Sequence, residues 1–169
     1  MAWKDKRLWA LALAVLVIGS AWGMREWDRR REVKAGGFTF QVRDRGAISE
    51  ALASPMPVMI DFGSEYCGPC REMAPELVKA ERLLKGKVRV IFADVWEDQS
   101  LAKGFPLRVI PTQFFFGPKG VPMEVPKGDV LGLVEYRSGD GKHLFTFHEG
   151  PLTADEIVGL FRQMGVPVD

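Results

Sequence analysis

Short apolar runs alternate with stretches of helical periodicity along most of the chain. The run 58–62 is short, largely apolar and lies between Pro57 and Gly63, which is typical of a buried strand. The stretch 71–84 instead places Leu77, Ala80, Leu83 and Leu84 at helical spacing. Strands that alternate with helices predict a three-layer α/β/α sandwich. In chain order, the predicted elements are a strand over 38–42, a helix over 44–53, a strand over 58–62, a helix over 67–84, a strand over 88–95, a short helix over 97–103, a strand over 113–116, two strands over 130–137 and 144–148, and a last helix after Thr153.

The beginning of the chain follows a different pattern. Residues 8–24 carry no charge and are largely aliphatic, and their number is at the short end of the range for a membrane-spanning helix. Lysines and arginines lie on both sides of this run, and four of the five tryptophans fall within the first 27 residues, as interfacial anchors would. We therefore expect a single uncleaved transmembrane helix over 8–24. A cleavable signal peptide is the alternative, although 21–23 is a poor cleavage site.

Charge is distributed unevenly between the two parts of the chain. Residues 1–36 hold eight Lys and Arg against four Asp and Glu, whereas 37–169 hold fifteen against eighteen. The basic excess beside the apolar run suits lipid headgroups, and the slightly acidic remainder does not indicate nucleic-acid binding. The prediction is a membrane anchor with a charged linker over 1–36 and one domain over 37–169. About 130 residues are enough for a core that needs no stabilising disulfide.

Both cysteines lie where the predicted strand 58–62 passes into the helix 67–84. Cys67 comes at the helix N-terminus, where free N–H groups and the helix dipole favour a thiolate, so it is the expected nucleophile. Cys70, one turn further in, is expected to be shielded and to resolve a mixed disulfide. A disulfide between residues three apart closes too short a loop to stabilise the fold, which favours a redox role. Pro69 has no N–H, so we expect moderate thiolate stabilisation and a reducing couple.

The same two cysteines would also supply half of a zinc site. His143 and His148 would complete a Cys2His2 set, but 72 residues separate Cys70 from His143. That spacing is far from the compact spacing of a zinc finger, and a proline between two cysteines at a helix start favours redox chemistry. We therefore expect no metal, and we expect both histidines on the surface of a hairpin.

The segment around the cysteines resembles the thioredoxin family. Cys67-Gly68-Pro69-Cys70 matches the active-site tetrad of that family, and further positions match at the family's spacings. These are Asp61, the buried aspartate; Pro75 in the active-site helix; Ile110-Pro111-Thr112, the cis-proline loop; and Gly150, a glycine near the substrate groove. The resemblance covers roughly residues 38–165. It implies a thioredoxin fold, with a mixed central sheet between layers of helices.

The resemblance also implies roles for individual residues. Cys67 and Cys70 are the expected catalytic pair, and Asp61 is expected to assist proton transfer to Cys70. Burial of a carboxylate within a strand raises its pKa, which suits this task. No metal or organic cofactor is implied, because the disulfide itself carries the electrons. The expected substrate-binding residues surround the disulfide: Tyr66, Gly68, Pro69, Ile110, Pro111 (in the cis form) and Gly150.

Three features depart from the family pattern. Tyr66 replaces the usual tryptophan before the first cysteine. The lysine that commonly partners the buried aspartate is absent from the predicted strand 88–95. Residues 117–148 are much longer than the family's hairpin at this point. They form either a longer hairpin or a partner-specific surface, and the sequence does not distinguish the two.

Together these features predict a membrane-anchored thiol–disulfide oxidoreductase that reduces protein disulfides. The arginines that follow residues 8–24 would by themselves favour a cytoplasmic domain. The resemblance to anchored members of the family instead favours a single-pass protein of the cell membrane, with its domain facing the periplasm or extracytoplasmic side. The expected partners are disulfide-containing proteins, a membrane thiol–disulfide electron donor and the lipid bilayer. Candidate substrates are components of cytochrome c maturation or misoxidised secreted proteins.

Two alternatives to a reductase remain open at this stage. The first is an oxidase or isomerase on the same fold, which predicts a higher reduction potential; the Gly-Pro pair between the cysteines argues against it. The second is a non-enzymatic thioredoxin-like module that binds a partner through residues 117–148. It predicts normal function after replacement of both cysteines.

Overall fold

The computed structural model describes residues 40–168 together with Leu13, Leu16, Gly19 and Ser20. By its internal contacts the chain divides into two units, 1–37 and 38–169, and the second carries the features below. The four described positions before residue 40 are helical and exposed. The rest of the predicted membrane helix 8–24 lies outside the described residues. Among the residues that are described, no helix has the length and apolar character needed to cross a bilayer. The anchor therefore stays a prediction.

A six-stranded mixed sheet forms the middle layer of the domain. In chain order its strands are β1 (Gln41–Val42), β2 (Val58–Gly63), β3 (Arg89–Asp94), β4 (Thr112–Phe116), β5 (Val134–Arg137) and β6 (His143–Glu149). They are arranged in the order β1-β3-β2-β4-β6-β5. The first three are parallel to one another, and each later pair is antiparallel. The two central strands, β2 and β4, are buried along their whole length, as their apolar runs predict.

Three helices begin close to where the sequence predicts them. They are α1 (Arg45–Ala53), α2 (Gly68–Leu84) and α3 (Ala154–Gln163). The Asp44 side chain caps α1 by accepting the N–H of Ala47 at 2.9 Å. Thr153 and Glu156 form a capping box at α3, in which each side chain accepts a backbone N–H of the other residue. These polar caps fix the first turns, because they satisfy N–H groups that have no partner within the helix.

Helices cover both faces of the sheet, which confirms the three-layer sandwich. α2 and α3 pack on one face through Met73, Leu77, Ile157 and Phe161, against Met59 and Phe115 of the sheet. α1 packs on the other face, where phenylalanines dominate: Phe62, Phe114, Phe116 and Phe147. Each fully buried side chain of this size contributes roughly 2 kcal/mol to folding. The sheet is therefore held rigidly, and its strand ends are fixed points for a site.

The segment between β4 and β6 differs most from its prediction. The predicted strand over 130–137 begins only with β5, because the Asp129 carboxylate accepts the N–H groups of Leu131 and Leu133 and holds them in a turn. These two leucines instead pack against the α2–α3 side of the core. β5 then pairs with β6 as the outermost strand of the sheet. The predicted insertion 117–148 thus folds against the domain and adds an edge strand to it.

Two shorter elements also change. The predicted strand over 38–42 pairs in the sheet only as the two residues of β1. The predicted short helix over 97–103 is a 3-10 turn over Gln99–Ala102, capped by the Asp98 side chain at the N–H of Ser100. Both differences lie at an element's end or in a connection, where local hydrogen bonds outweigh hydrophobic periodicity.

Candidate active site

The two cysteines lie where β2 passes into α2. Cys67 is the N-cap of α2, and its backbone N–H donates to the carbonyl oxygen of Ser64 at 3.2 Å. The Ser64 hydroxyl in turn accepts the N–H of Tyr66 at 3.1 Å. Gly68 and Pro69 form the first turn of α2, where the missing N–H of proline breaks no helical hydrogen bond. This turn holds Cys67 at the outer end of the helix.

The two sulfur atoms are joined in a disulfide but differ in exposure. Their Cα atoms are 5.2 Å apart. Cys70 is 7% exposed, whereas Cys67 is half-buried. The Cys67 sulfur accepts the backbone N–H of Cys70 at 3.3 Å. A thiol or disulfide that approaches from solvent therefore meets Cys67 first. After reduction, the same N–H and the helix dipole favour a thiolate at Cys67.

The loop before β4 lies against the disulfide. Its Ile110–Pro111 peptide bond is cis, as the family resemblance implies. The carbonyl oxygen of Ile110 is 3.6 Å from the Cys67 sulfur. Gly150, at a φ of 116° that favours glycine, donates its N–H to the carbonyl oxygen of Pro111 at 2.9 Å. The structure thus brings Ile110, Pro111 and Gly150 together beside Cys67, and their role in binding substrate stays a prediction.

Two exposed aromatic side chains form a rim that includes the residue before Cys67. Tyr66 is 75% exposed and Trp96 is 68% exposed, with their ring centroids 6.1 Å apart. The buried Asp94 carboxylate holds the two loops together, because it accepts the N–H of Glu65 at 3.3 Å and that of Trp96 at 2.8 Å. Exposed aromatic rings are a common means of binding partners. The aromatic rim (Tyr66 and Trp96) therefore adjoins the more accessible sulfur.

Asp61 is buried in β2 and has a neutral partner. Its carboxylate is 3% exposed and accepts the Nε2–H of Gln113 at 2.9 Å. The same Nε2 lies 3.4 Å from the sulfur of Met73, which follows Cys70 by one turn of α2. Desolvation raises the pKa of Asp61 from 3.8 to about 7, and the hydrogen bond from Gln113 lowers it in part. A carboxyl group with this pKa can gain and lose a proton near neutral pH.

The sequence analysis missed Gln113, Asp94 and Trp96 as site residues. The sequence does contain a signal for Gln113, because it is the single amide in a largely apolar predicted strand. In the same way, Asp61 is the single carboxylate in the apolar run 58–62. The two polar residues become partners only through the register of β2 and β4, which places Asp61 opposite Gln113. Asp94 and Trp96 lie at and after the end of β3, and neither position has a motif of its own.

The histidines do not join the cysteines. The Nε2 of His143 lies 3.1 Å from the carbonyl oxygen of Phe145 and 2.8 Å from the hydroxyl of Thr146. Both sulfur atoms are used in the disulfide. The structure therefore gives no support to the Cys2His2 alternative. It also corrects the expectation of surface histidines, because His143 and His148 are both partly buried.

One other group of described residues has the spacing of metal ligands. Glu124, Glu135 and His143 each place a ligand atom within 4.8 Å of the others. The guanidinium of Arg137 already pairs with Glu135, so the chain itself supplies a cation at this place. The group lies on β5, on β6 and in the segment before them, and includes neither cysteine of the disulfide. We therefore assign it no part in the site.

Comparison with known proteins agrees with this geometry. The family model described as Thioredoxin matches residues 41–130. Thioredoxin of Synechocystis sp. is 35% identical over 101 residues, which are 57% of this chain and 94% of that protein. Thioredoxin of Rickettsia felis is 36% identical over 75 residues, 44% of this chain and 71% of that protein. Protein disulfide-isomerase of Gallus gallus is 30% identical over 139 residues, 77% of this chain and 25% of that protein.

A solved structure supports the fold. Chloroplastic thioredoxin z has a TM-score of 0.52 to this chain at 23% identity, and the match covers 73% of this chain and 91% of that one. At this identity the likeness concerns the fold alone. The matched family model includes β2, α2 and the disulfide between them. The chain therefore belongs to the thioredoxin family of thiol–disulfide oxidoreductases.

Proposed function

We propose that this chain reduces protein disulfides, with Cys67 as the nucleophile and Cys70 as the resolving thiol. The observation that carries the proposal is the difference in exposure between the two sulfurs. Cys67 lies beside the carbonyl oxygen of Ile110 and the aromatic rim, where an extended substrate has access. Cys70 lies towards the core, close enough to Cys67 to displace a bound substrate.

The two thiols supply both electrons of the reaction, and protons are exchanged with Asp61 and with solvent. The Cys67 thiolate attacks one substrate sulfur, forms a mixed disulfide and releases the first substrate thiolate, which takes a proton from solvent. Asp61 accepts the proton of the Cys70 thiol, and the Cys70 thiolate attacks the Cys67 sulfur. The second substrate thiolate leaves and is protonated, and Asp61 returns its proton to solvent. The substrate ends as two thiols, and the chain ends as the Cys67–Cys70 disulfide.

Two features support the reducing direction. The Cys67 sulfur receives one backbone N–H, from Cys70, and Pro69 has no N–H to add. The thiolate is therefore stabilised only moderately, and weak stabilisation of the reduced form favours the disulfide form of the protein. A protein whose own disulfide is favoured passes its electrons to other disulfides.

The setting of this activity is part of the proposal. Residues 8–24 are apolar enough to serve as a single membrane anchor, with basic residues on both sides. The domain faces the periplasm or another extracytoplasmic space. A membrane thiol–disulfide protein returns electrons to Cys67 and Cys70 after each turnover. Components of cytochrome c maturation and misoxidised secreted proteins are suitable substrates, because both present disulfides on that side.

An isomerase is the second candidate. The similarity to protein disulfide-isomerase of Gallus gallus extends over 77% of this chain, which is more than the thioredoxins named above cover. An isomerase also forms a mixed disulfide through an exposed cysteine, but its couple is more oxidising. The two functions thus differ in reduction potential and not in the first chemical step.

The reduction potential of the full chain tests the proposed direction. The chain in detergent is equilibrated with glutathione buffers of known potential, and its free thiols are counted by mass after alkylation. A potential near the thioredoxin value of about −270 mV supports the reductase. A value near about −180 mV would favour the isomerase, and one near about −120 mV an oxidase. The Cys70→Ser chain is the control, because it cannot form the internal disulfide.

A further inference from the structure

One polar pair lies within the otherwise apolar face of the sheet beneath α2. Asp61 and Gln113 are direct partners in the antiparallel register of β2 and β4. Partner residues in such a ladder place their side chains on the same face. Asp61 is 3% exposed and Gln113 is fully buried, so both were removed from water on folding. Burial of two polar groups is tolerated only if they satisfy one another.

The amide of Gln113 connects Asp61 to the active-site helix. Its Nε2 donates to the Asp61 carboxylate at 2.9 Å and lies 3.4 Å from the sulfur of Met73. Met73 follows Cys70 by one helical turn, and residues at this spacing share a face of the helix. The amide therefore lies between the buried carboxylate and the part of α2 that carries Cys70.

The surroundings of Asp61 supply no competing charge. On α2, Cys70 lies one turn before Met73 and does not titrate while it is in the disulfide, and the register partner of Asp61 on β3 is Phe92. On β6 the residue opposite Gln113 is His148, and burial lowers the pKa of its imidazole, so it is neutral near neutral pH. None of the charged side chains that the structure describes contributes to the raised pKa of Asp61.

We propose that Gln113 is the positioning residue of the proton step, and that its amide holds Asp61 in both protonation states. The proposal rests on the proposed function. An ionised Asp61 accepts the Nε2–H, as the structure shows. A protonated Asp61 donates its O–H to Oε1 after a half-turn of the amide. A cation in the same place would stabilise only the ionised form, whereas an amide offers both a donor and an acceptor.

Two unpaired atoms support this half-turn. Oε1 of Gln113 is buried and has no hydrogen-bond partner among the described residues, so the turn breaks only the contacts of Nε2. Nδ1 of His148 is also buried without a partner there. His148 is the register partner of Gln113 on β6 and also makes a hydrogen bond with the backbone of Leu131. Its unpaired Nδ1 is therefore part of a polar side chain on the same face of the sheet as the amide.

The test replaces the amide with an apolar side chain of similar size in the full chain. Gln113→Met and Gln113→Leu both remove the donor, and two shapes are used so that at least one can pack in the site. The titration of Asp61 is followed by the NMR signal of its labelled carboxyl carbon. The amide holds the ionised carboxylate more strongly than the protonated one, because a hydrogen bond to a charged acceptor is stronger than a neutral one. Loss of the amide should therefore move the midpoint of the Asp61 titration upward by about one pH unit, a tenfold change in proton affinity. Thr146→Val is the matched control, since Thr146 is a fully buried polar residue of β6 without contact to Asp61.

The second measurement is the release of substrate from the mixed disulfide as a function of pH. In the wild-type background, Gln113→Met should raise the pH midpoint of this release by the same amount as it raises the midpoint of the Asp61 titration. In the Asp61→Asn background it should leave the dependence of release on pH unchanged. An unchanged Asp61 titration, or an equal effect of Gln113→Met in both backgrounds, would overturn the proposal. The titration requires no turnover. It therefore still decides the role of Gln113 if the chain turns out to reduce no protein disulfide, an outcome that would refute only the proposed function.

Discussion

The two sulfurs of one disulfide lie three residues apart in the chain but face different surroundings. Cys67 is half-buried, lies 3.6 Å from the carbonyl oxygen of Ile110 and adjoins two exposed aromatic rings. Cys70 is 7% exposed and lies one helical turn from Met73, whose sulfur is 3.4 Å from the amide of Gln113. The difference arises from the helix start, because an N-cap residue lies outside the helix and a residue in the first turn is already drawn into the core.

This comparison separates two tasks within a small volume. In the proposed reaction the outer sulfur meets the substrate, and its neighbours are an extended loop and exposed aromatic side chains. The inner sulfur loses its proton in the proposed reaction away from solvent, and the sheet beneath its helix holds a carboxyl group whose pKa burial raises to about 7. The proposed attack on substrate thus takes place at the surface, and the proposed proton transfer takes place in the interior. Each prediction below alters one of these two sides.

The largest effect is expected from exchanging the two cysteines for serine in turn. Cys67→Ser removes the nucleophile and should lower the rate of disulfide reduction by at least about 1,000-fold. Cys70→Ser leaves the nucleophile but not the resolving thiol, so the chain should accumulate as a mixed disulfide with its substrate. The rate is followed with a reduced full chain and a disulfide-bonded protein, and the adduct by mass. An adduct on Cys67→Ser in place of Cys70→Ser would reverse the two roles.

Asp61→Asn should raise the free energy of unfolding strongly at neutral and higher pH, and should leave it unchanged at acidic pH. The pKa of Asp61 in the folded chain, about 7, lies above the ordinary value of 3.8, so the folded chain binds the proton more tightly than the unfolded chain does. The free energy of unfolding therefore falls as pH rises from about 4 to about 7. Above this window the wild-type chain keeps a buried carboxylate, whereas the Asp61→Asn chain has a neutral amide there. The gain in unfolding free energy should therefore approach about 4 kcal/mol at most at pH 8 and vanish near pH 4. Denaturant unfolding at both pH values measures it, and an equal difference at both would contradict the raised pKa.

The aromatic rim should have a smaller effect, confined to protein substrates. Tyr66→Ala removes a ring that is 75% exposed beside Cys67 and should raise KM for a disulfide-bonded protein by roughly threefold to tenfold. The rate with a small disulfide should stay unchanged, because such a substrate does not reach the rim. Tyr136→Ala is the matched control, since this tyrosine is 43% exposed on β5, with β4 and β6 between it and β2. Equal changes in KM for the two variants would contradict a role of the aromatic rim in binding protein substrates.

The central elements were predictable because their patterns are long and agree with one another. The apolar run of β2, the helical periodicity of α2 and the cap at Thr153 each had one good interpretation, and the structure confirms them. The predicted strand over 130–137 is shorter in the structure, because it is interrupted by hydrogen bonds that the hydrophobic pattern does not show. There the Asp129 carboxylate accepts two backbone N–H groups, which a strand would have used in its ladder.

The site divides in the same way. Its cysteines, the aspartate and the Ile110–Pro111 loop carry motifs that are visible in the sequence. Gln113 and Trp96 have no motif, because their importance depends on which residue lies opposite or beside them in space. A register of strands places Gln113 against Asp61, and the buried Asp94 brings Trp96 to Tyr66. A single sequence does not show which distant segments lie next to each other in the fold.

The rates at which the two reduced cysteines react with iodoacetamide test the central comparison most directly. The full chain is reduced, alkylated for increasing times at neutral pH, and digested, so that Cys67 and Cys70 are measured separately by peptide mass. Cys67 should react at least about tenfold faster than Cys70, because it is both more exposed and favoured as a thiolate. Denatured chain, in which the two thiols should react alike, is the control. Equal rates in the folded chain, or faster reaction of Cys70, would contradict the division between an outer and an inner sulfur.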